Sequence, residues 1–105
     1  MNVIIDNAVD RAIDNFYLFA MEIHPSLSEE TVNRKKDRLY EALQQLGDFP
    51  YMCPLAQHRE DWIKAGYRVC SRENFIFAYQ IYEEPDTHLT FVYIHDATHS
   101  LLYHD

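Results

Sequence analysis

Basic residues, glycine, cysteine and long apolar runs are all scarce in this sequence, and each shortage removes a class of protein. Lys and Arg number 9 against 17 Asp and Glu, for a formal net charge of -8. Affinity for a phosphate backbone comes largely from Lys and Arg releasing condensed counterions, so this balance argues against unaided nucleic-acid binding. With Gly 2, a Gly-rich linker, a collagen-like repeat and a phosphate-cradling loop are ruled out. Cys53 and Cys70 are too few for a disulfide scaffold and follow neither a CxxC nor a zinc-ligand spacing. They read as small, partly buried thiols. No stretch approaches the roughly 18 consecutive apolar residues of a membrane span, and Asp6 and Asp10 interrupt the start before an apolar leader could form. The expectation is a cytoplasmic protein without membrane contact.

What is present suits a globular core. Of 105 residues, 48% are hydrophobic and 14% aromatic, which is too apolar for a disordered chain and fits one domain over 1–105. Val3, Ile4 and Ile5 form a short apolar run, an edge strand, with Asp6 or Asn7 behind it as a helix cap. Ala8, Val9, Ala12, Ile13, Phe16, Tyr17, Ala20 and Ile23 then recur at three- and four-residue steps and put one apolar stripe on a helix that Pro25 must end. Ser28 caps a second helix, Glu29 and Glu30 suit the positive end of its dipole, and Gly47 closes it. Val32, Lys36, Leu39, Tyr40, Leu43 and Leu46 share its inner face. Arg34, Lys35 and Arg38 lie outside and read as a solvated face. The short gap between the helices predicts an antiparallel hairpin.

From Asp48 to Pro54 two prolines bracket Phe49, Tyr51 and Met52, an ordered connector pinned by aromatics. Beyond Trp62 and Gly66 the pattern becomes strand-like over Tyr67 to Cys70, Phe75 to Tyr82 and Leu89 to His95, with turns at 71–74 and 83–86. Phe77, Tyr79 and Ile81 alternate with Ile76, Ala78 and Tyr82, so the middle strand is apolar on both faces and central. The fold class is therefore α+β, an N-terminal helical hairpin packed on an antiparallel sheet of three to four strands. One face should carry the hairpin and the other should form a concave surface.

This layout, and the wording of several segments, resembles the RelE/ParE superfamily of bacterial toxins. The matching segments are L-x-x-L-G-D-F-P-Y-M-C-P from Leu43 to Pro54, G-Y-R-V from Gly66 to Val69, N-F-I-F-A-Y-Q-I-Y from Asn74 to Tyr82 and F-V-Y-I-H from Phe91 to His95. Together they span essentially the whole chain. The resemblance implies the toxin of a type II toxin-antitoxin, plasmid-stabilisation module, held inactive by a cognate antitoxin and needing no cofactor. RelE-like members cut messenger RNA on the ribosome, whereas ParE-like members poison DNA gyrase by protein contact and need no catalytic groups.

Carried over residue by residue, Arg68 matches the family arginine that grips a phosphate in a nuclease. The segment from Thr98 to Tyr103 resembles the tail of some ribosome-dependent RNases, which would make His99 the proton-transfer group and Tyr103 a base-stacking ring. An alternative alignment puts His95 on the histidine before the paired arginines of ParE-like tails. No Lys or Arg occurs after Arg72, so the cations that would stabilise a phosphorane-like state are missing, with Arg72, His58 and Arg59 the nearest substitutes. A metal site from His95, Asp96, His99, His104 and Asp105 lacks a standard motif. Glu83, Glu84 and Asp86 flank Pro85 and read as turn charges.

The ParE-like mode therefore leads, with an Arg68/His99/Tyr103 endoribonuclease behind it and a non-toxic binding module as a third reading. The antitoxin is expected to cross the apolar sheet or the hairpin through Trp62, Tyr67, Phe77, Tyr79 and His95, with a more basic segment than usual.

Overall fold

The computed structural model describes residues 1–103. The chain runs β1 (Asn2–Ile5), α1 (Asn7–Ile23), α2 (Glu29–Gln44), a 3-10 turn (Gln45–Gly47), α3 (Glu60–Ala65), β2 (Arg68–Arg72), β3 (Phe75–Glu83), β4 (Thr90–His99) and a final 3-10 turn (Ser100–Leu102). Helices and a four-stranded sheet of order β1-β4-β3-β2 make it an α+β fold.

The two long helices start where the sequence supplies a cap. Asp6 Oδ1 accepts from Ala8 N at 2.8 Å, and Ser28 Oγ accepts from Thr31 N at 3.1 Å. Such caps contribute about 1 kcal/mol each by satisfying an orphan amide. The two helices run antiparallel: Lys36 Nζ reaches Asp14 at 2.9 Å, and the Tyr40 hydroxyl donates to Asp10 one turn away. Burial and that carboxylate together push the Tyr40 phenol well above its ordinary range. Val9, Ile13 and Tyr17 of α1 join Val32, Leu39 and Leu43 of α2 in one core with Phe75, Phe77, Tyr79, Val92 and Ile94 of the sheet.

β3 is central, as its two apolar faces require. Phe77, Ala78 and Tyr79 are each 0% exposed, so both faces are covered at mid-strand. The sheet is nevertheless mixed rather than antiparallel throughout, because β1 pairs with β4 in parallel, Val3 beside Val92 and Ile5 beside Ile94. The helical hairpin returns the chain over one face, which brings β1 and the last strand to the same edge with the same direction. Gly47 sits under this edge: a Cβ there would fall inside contact distance of the Met1 carbonyl oxygen and 3.2 Å from Val3 Cγ2. Strand ends also extend further than the apolar pattern shows, since Glu73 (φ 49) and Asn74 (φ 68) close a two-residue turn between β2 and β3.

The connector is ordered, but its aromatics do not hold it. Phe49, Tyr51 and Met52 are exposed at 66%, 65% and 63%. The sheet holds it instead. The buried Tyr79 hydroxyl donates to Pro50 O at 2.7 Å, Arg68 Nη1 to Cys53 O at 2.8 Å, and Val69 N to Pro54 O at 2.9 Å. Leu55 bridges Arg68, so the connector runs along the outer edge of β2 and covers it. The same proximity joins Cys53 to Cys70 as a disulfide with Cα atoms 5.5 Å apart, in place of two thiols. Pairing of this kind depends on strand placement, which no cysteine spacing encodes. After the connector, the short α3 ends on Gly66 in the left-handed conformation at φ 75.

Two outcomes follow for stability. The bond closes a 17-residue separation, so oxidised protein should exceed a Cys53→Ser/Cys70→Ser variant by about 3 kcal/mol in urea unfolding; equal midpoints would show that the bond constrains nothing. Gly47→Ala should cost about 1–3 kcal/mol by overpacking the β1 edge, read as a lowered melting temperature.

Candidate functional site

The helix hairpin covers one face of the sheet, and α3 covers part of the other. Trp62 of α3, 1% exposed, packs with Ala56 and Ala78, and Val69, Ile76 and Tyr103 flank them. Trp62 Nε1 donates to Asp96 Oδ2 at 3.2 Å, while the Arg59 guanidinium lies 4.3 Å over the indole ring. Arg59 is held there by Asp61 at 2.8 Å and Asp96 at 3.5 Å. Coverage reaches as far as Gln80, whose Nε2 donates to Ala65 O at the end of α3 at 2.8 Å.

Beyond Gln80 the open face carries Tyr67, Tyr82, Phe91, Tyr93 and His95. A β-bulge creates this cluster. Ala78 pairs with Asp96 but Tyr79 pairs with Ile94, which leaves His95 as the extra residue of β4. Consecutive side chains His95 and Asp96 then both occupy the open face. His95 stacks on Tyr67 with centroids 4.6 Å apart and lies 4.5 Å from Tyr93, while Tyr82 stacks on Phe91 at 5.5 Å. Tyr82 donates its one proton to Gln80 Oε1 and so accepts from His95 Nε2 at 2.8 Å. At the β1 side, Tyr93 donates to Asp6 Oδ2 at 2.6 Å.

These contacts set the charge of the site. Burial lowers the pKa of His95 below 6.5, outweighing the opposite pull of Asp6 and Asp96, so the ring is predominantly neutral at neutral pH. The hydrogen bonds from Tyr93 and from Ala8 N hold Asp6 below its ordinary carboxylate value, so it stays anionic. Tyr82 is raised by burial and Tyr93 chiefly by its bond to Asp6. Both remain neutral donors. The result is a platform of uncharged rings with an anion at its edge.

The residues expected from sequence are distributed over different parts of the fold. Arg68 lies on the connector, donating to Cys53 O and placed 5.2 Å from the Tyr51 ring centroid. His99 faces the helix hairpin, stacked on Phe16 at 3.8 Å and edge-on to Phe75 at 5.1 Å, with Nδ1 accepting from Leu101 N at 3.2 Å. Tyr103 stacks on Trp62 at 5.7 Å and meets His58 edge-on at 6.4 Å. Strict alternation along β4 would put His95 and His99 on one face; the bulge puts them on opposite faces. Arg72 donates to its neighbour's carbonyl, Ser71 O, at 2.7 Å.

Of the expected partner-binding residues, Phe77 and Tyr79 are 0% exposed and Trp62 1%, so the chain's own core uses them. Tyr67 and His95 reach the open platform. Tyr82, Phe91, Tyr93 and Asp6 were not anticipated there, although the alternation F-x-Y-x-H over 91–95 marks one face of a strand.

No group of His, Cys, Asp and Glu suited to a metal ion occurs among the described residues. His104 and Asp105 of the sequence-derived metal set lie outside them. Glu83 ends β3, paired with Thr90, and Glu84 opens the turn that follows; they bond His88 Nδ1 and Thr87 Oγ1. No helix of the described chain is long and apolar enough to cross a membrane. A scan against protein-family models finds no match for the chain, and a search of curated proteins finds none similar to it.

His95 and His99, both lowered by burial, give the fold a pH dependence with a definite sign. Each ring binds its proton less tightly folded than unfolded. Between the depressed values and 6.5 the unfolded chain therefore holds more protons, and stability rises with pH. Urea midpoints should fall on going from about pH 7 to about pH 5, and a His95→Gln/His99→Gln variant should show a flatter profile. An NMR titration midpoint for His95 at or above the ordinary value would contradict this.

Proposed function

We propose that the chain is a toxin of the RelE/ParE type, the growth-inhibiting half of a type II toxin-antitoxin module, and that it acts by protein contact in the ParE manner, with DNA gyrase as target. Two things support the family: the segment wording set out above, and an element order of strand, helical hairpin, proline-bearing connector and three-stranded meander.

The single observation that carries the mechanism is where the cations go. Arg59, Arg68 and Arg72, the arginines nearest the sheet, are engaged with Asp61 and Asp96, with Cys53 O, and with Ser71 O. β3 and β4 contain neither Lys nor Arg. Phosphoryl transfer needs positioned positive charge where the dianion develops, and the sheet offers only Arg68 and Arg72 of β2, each turned to a backbone carbonyl; His99, the proton-transfer candidate, is packed against Phe16. A protein target imposes no such requirement. Under this proposal the chain works in the bacterial cytoplasm. A reducing cytosol keeps most cysteines as thiols, and the connector would there be held by Tyr79, Arg68 and its backbone bonds.

Induced expression without a partner tests the whole proposal. Growth should arrest while transcript ends remain intact, and purified protein should inhibit gyrase supercoiling. Normal growth at high soluble yield would overturn the toxin reading. Transcripts cut in a manner lost on Arg68→Ala or His99→Ala would instead assign the ribosome-dependent nuclease.

A further inference from the structure

We propose that the aromatic end of the open sheet face is a docking surface for an arginine-bearing segment of a partner protein, taken up by stacking of guanidinium groups on Tyr67, His95, Tyr82 and Phe91. The covered half of the same face shows the chemistry at work. There the chain lays its own Arg59 over Trp62 at 4.3 Å and fixes it with the carboxylates of Asp61 and Asp96. A ring face attracts a cation through its quadrupole, and a nearby carboxylate adds a charge-assisted hydrogen bond.

The uncovered half has rings and carboxylates too, but among the described residues no arginine or lysine is laid over its rings. Its rings lie in a continuous series, Tyr67 on His95, His95 beside Tyr93, Tyr82 on Phe91. Asp6 stands at the β1 edge as an anion with one oxygen bonded to Tyr93 and the other to Ala8 N. Asp96, which already receives Arg59 and Trp62 Nε1, bounds the opposite side, next to His95. Glu83 follows Tyr82 at the end of β3, and neither β3 nor β4 contains Lys or Arg.

Charge complementarity thus commits the surface to a basic occupant. Arginine fits it better than lysine, because a planar guanidinium stacks on rings and sheds water more readily than an ammonium. A nucleic acid could use the rings for base stacking, but it would bring phosphates against these carboxylates. The inference does not rest on the toxin proposal, and its test involves neither growth nor gyrase.

The full chain is titrated with a fluorescent peptide of alternating arginine and glycine, beside lysine-glycine and aspartate-glycine peptides and a single-stranded oligonucleotide, by anisotropy and by His95 ring resonances. The arginine peptide should bind, shift the His95 signals and exceed the lysine peptide by about twofold to tenfold. Phe91→Leu keeps an apolar side chain but removes a ring, and Leu18→Ala alters an exposed side chain of α1, away from the platform. The first should weaken arginine binding about threefold or more and the second should leave it unchanged, with both variants melting as folded proteins. The proposal is overturned if the arginine peptide does not bind, if lysine and arginine peptides bind equally and ignore Phe91→Leu, or if the oligonucleotide or aspartate peptide binds the His95 surface instead.

Discussion

A central strand that is apolar on both sides must be covered twice, and in this chain long helices lie on one face while only the short α3 lies on the other. Everything else in the architecture is arranged around that asymmetry. The long helices α1 and α2 take one face together with the connector, and there Phe75, Phe77 and Tyr79 of β3 share a core with Ile13, Leu39, Leu43 and Cys53. On the other face six-residue α3 contributes a single large side chain, Trp62, which shields Ala78. The rest of that face stays open, a half-buried layer of rings lying on one another. Tyrosine and histidine suit the task because they bury carbon while keeping polar tips bonded, as Tyr82, His95 and Tyr93 do here.

The same economy governs charge. An excess of acids over bases leaves few cations, and those near the sheet are spent on internal oxygens. Lys36 ties the hairpin through Asp14, Arg68 holds the connector through Cys53 O, and Arg59 locks α3 onto the sheet through Asp96. Arg59 and Arg68 do so while meeting an aromatic ring, which makes each a packing element as well as a charge. Such arginines are costly to recruit for binding an external phosphate, because moving one away releases the segment it holds.

Much of this organisation was legible in the residues. Helix spacing, the caps Asp6 and Ser28, the stop at Pro25 and the two-sided pattern of β3 are local signals, and local signals survive folding. Lys36 and Tyr40 were placed on the inner face of α2 by periodicity alone, and both bond α1. Three features were not legible, each because it belongs to a pair of segments. The parallel match of β1 with β4 depends on the crossover made by the hairpin. The bulge at His95 exists only relative to β3, and it moves His95 and His99 to opposite faces. The contact of Cys53 with Cys70 depends on the connector running along β2. Short α3 escaped for a different reason: at six residues it offers too few turns for a period to register.

The parallel pairing of β1 with β4 also carries a consequence for biosynthesis. Ile5 lies beside Ile94, so β1 must wait through synthesis of the helices and the other strands for β4 before it has a partner. Helices α1 and α2 can form early from local contacts, but their apolar stripes face a sheet that does not yet exist. Until β4 emerges and inserts between β1 and β3, the nascent chain holds an unpaired edge and an uncovered stripe, the condition in which chaperones are most needed. The sheet is thereby completed only once β4 has been made, and a chain cut short before β4 loses an interior strand rather than a dispensable edge.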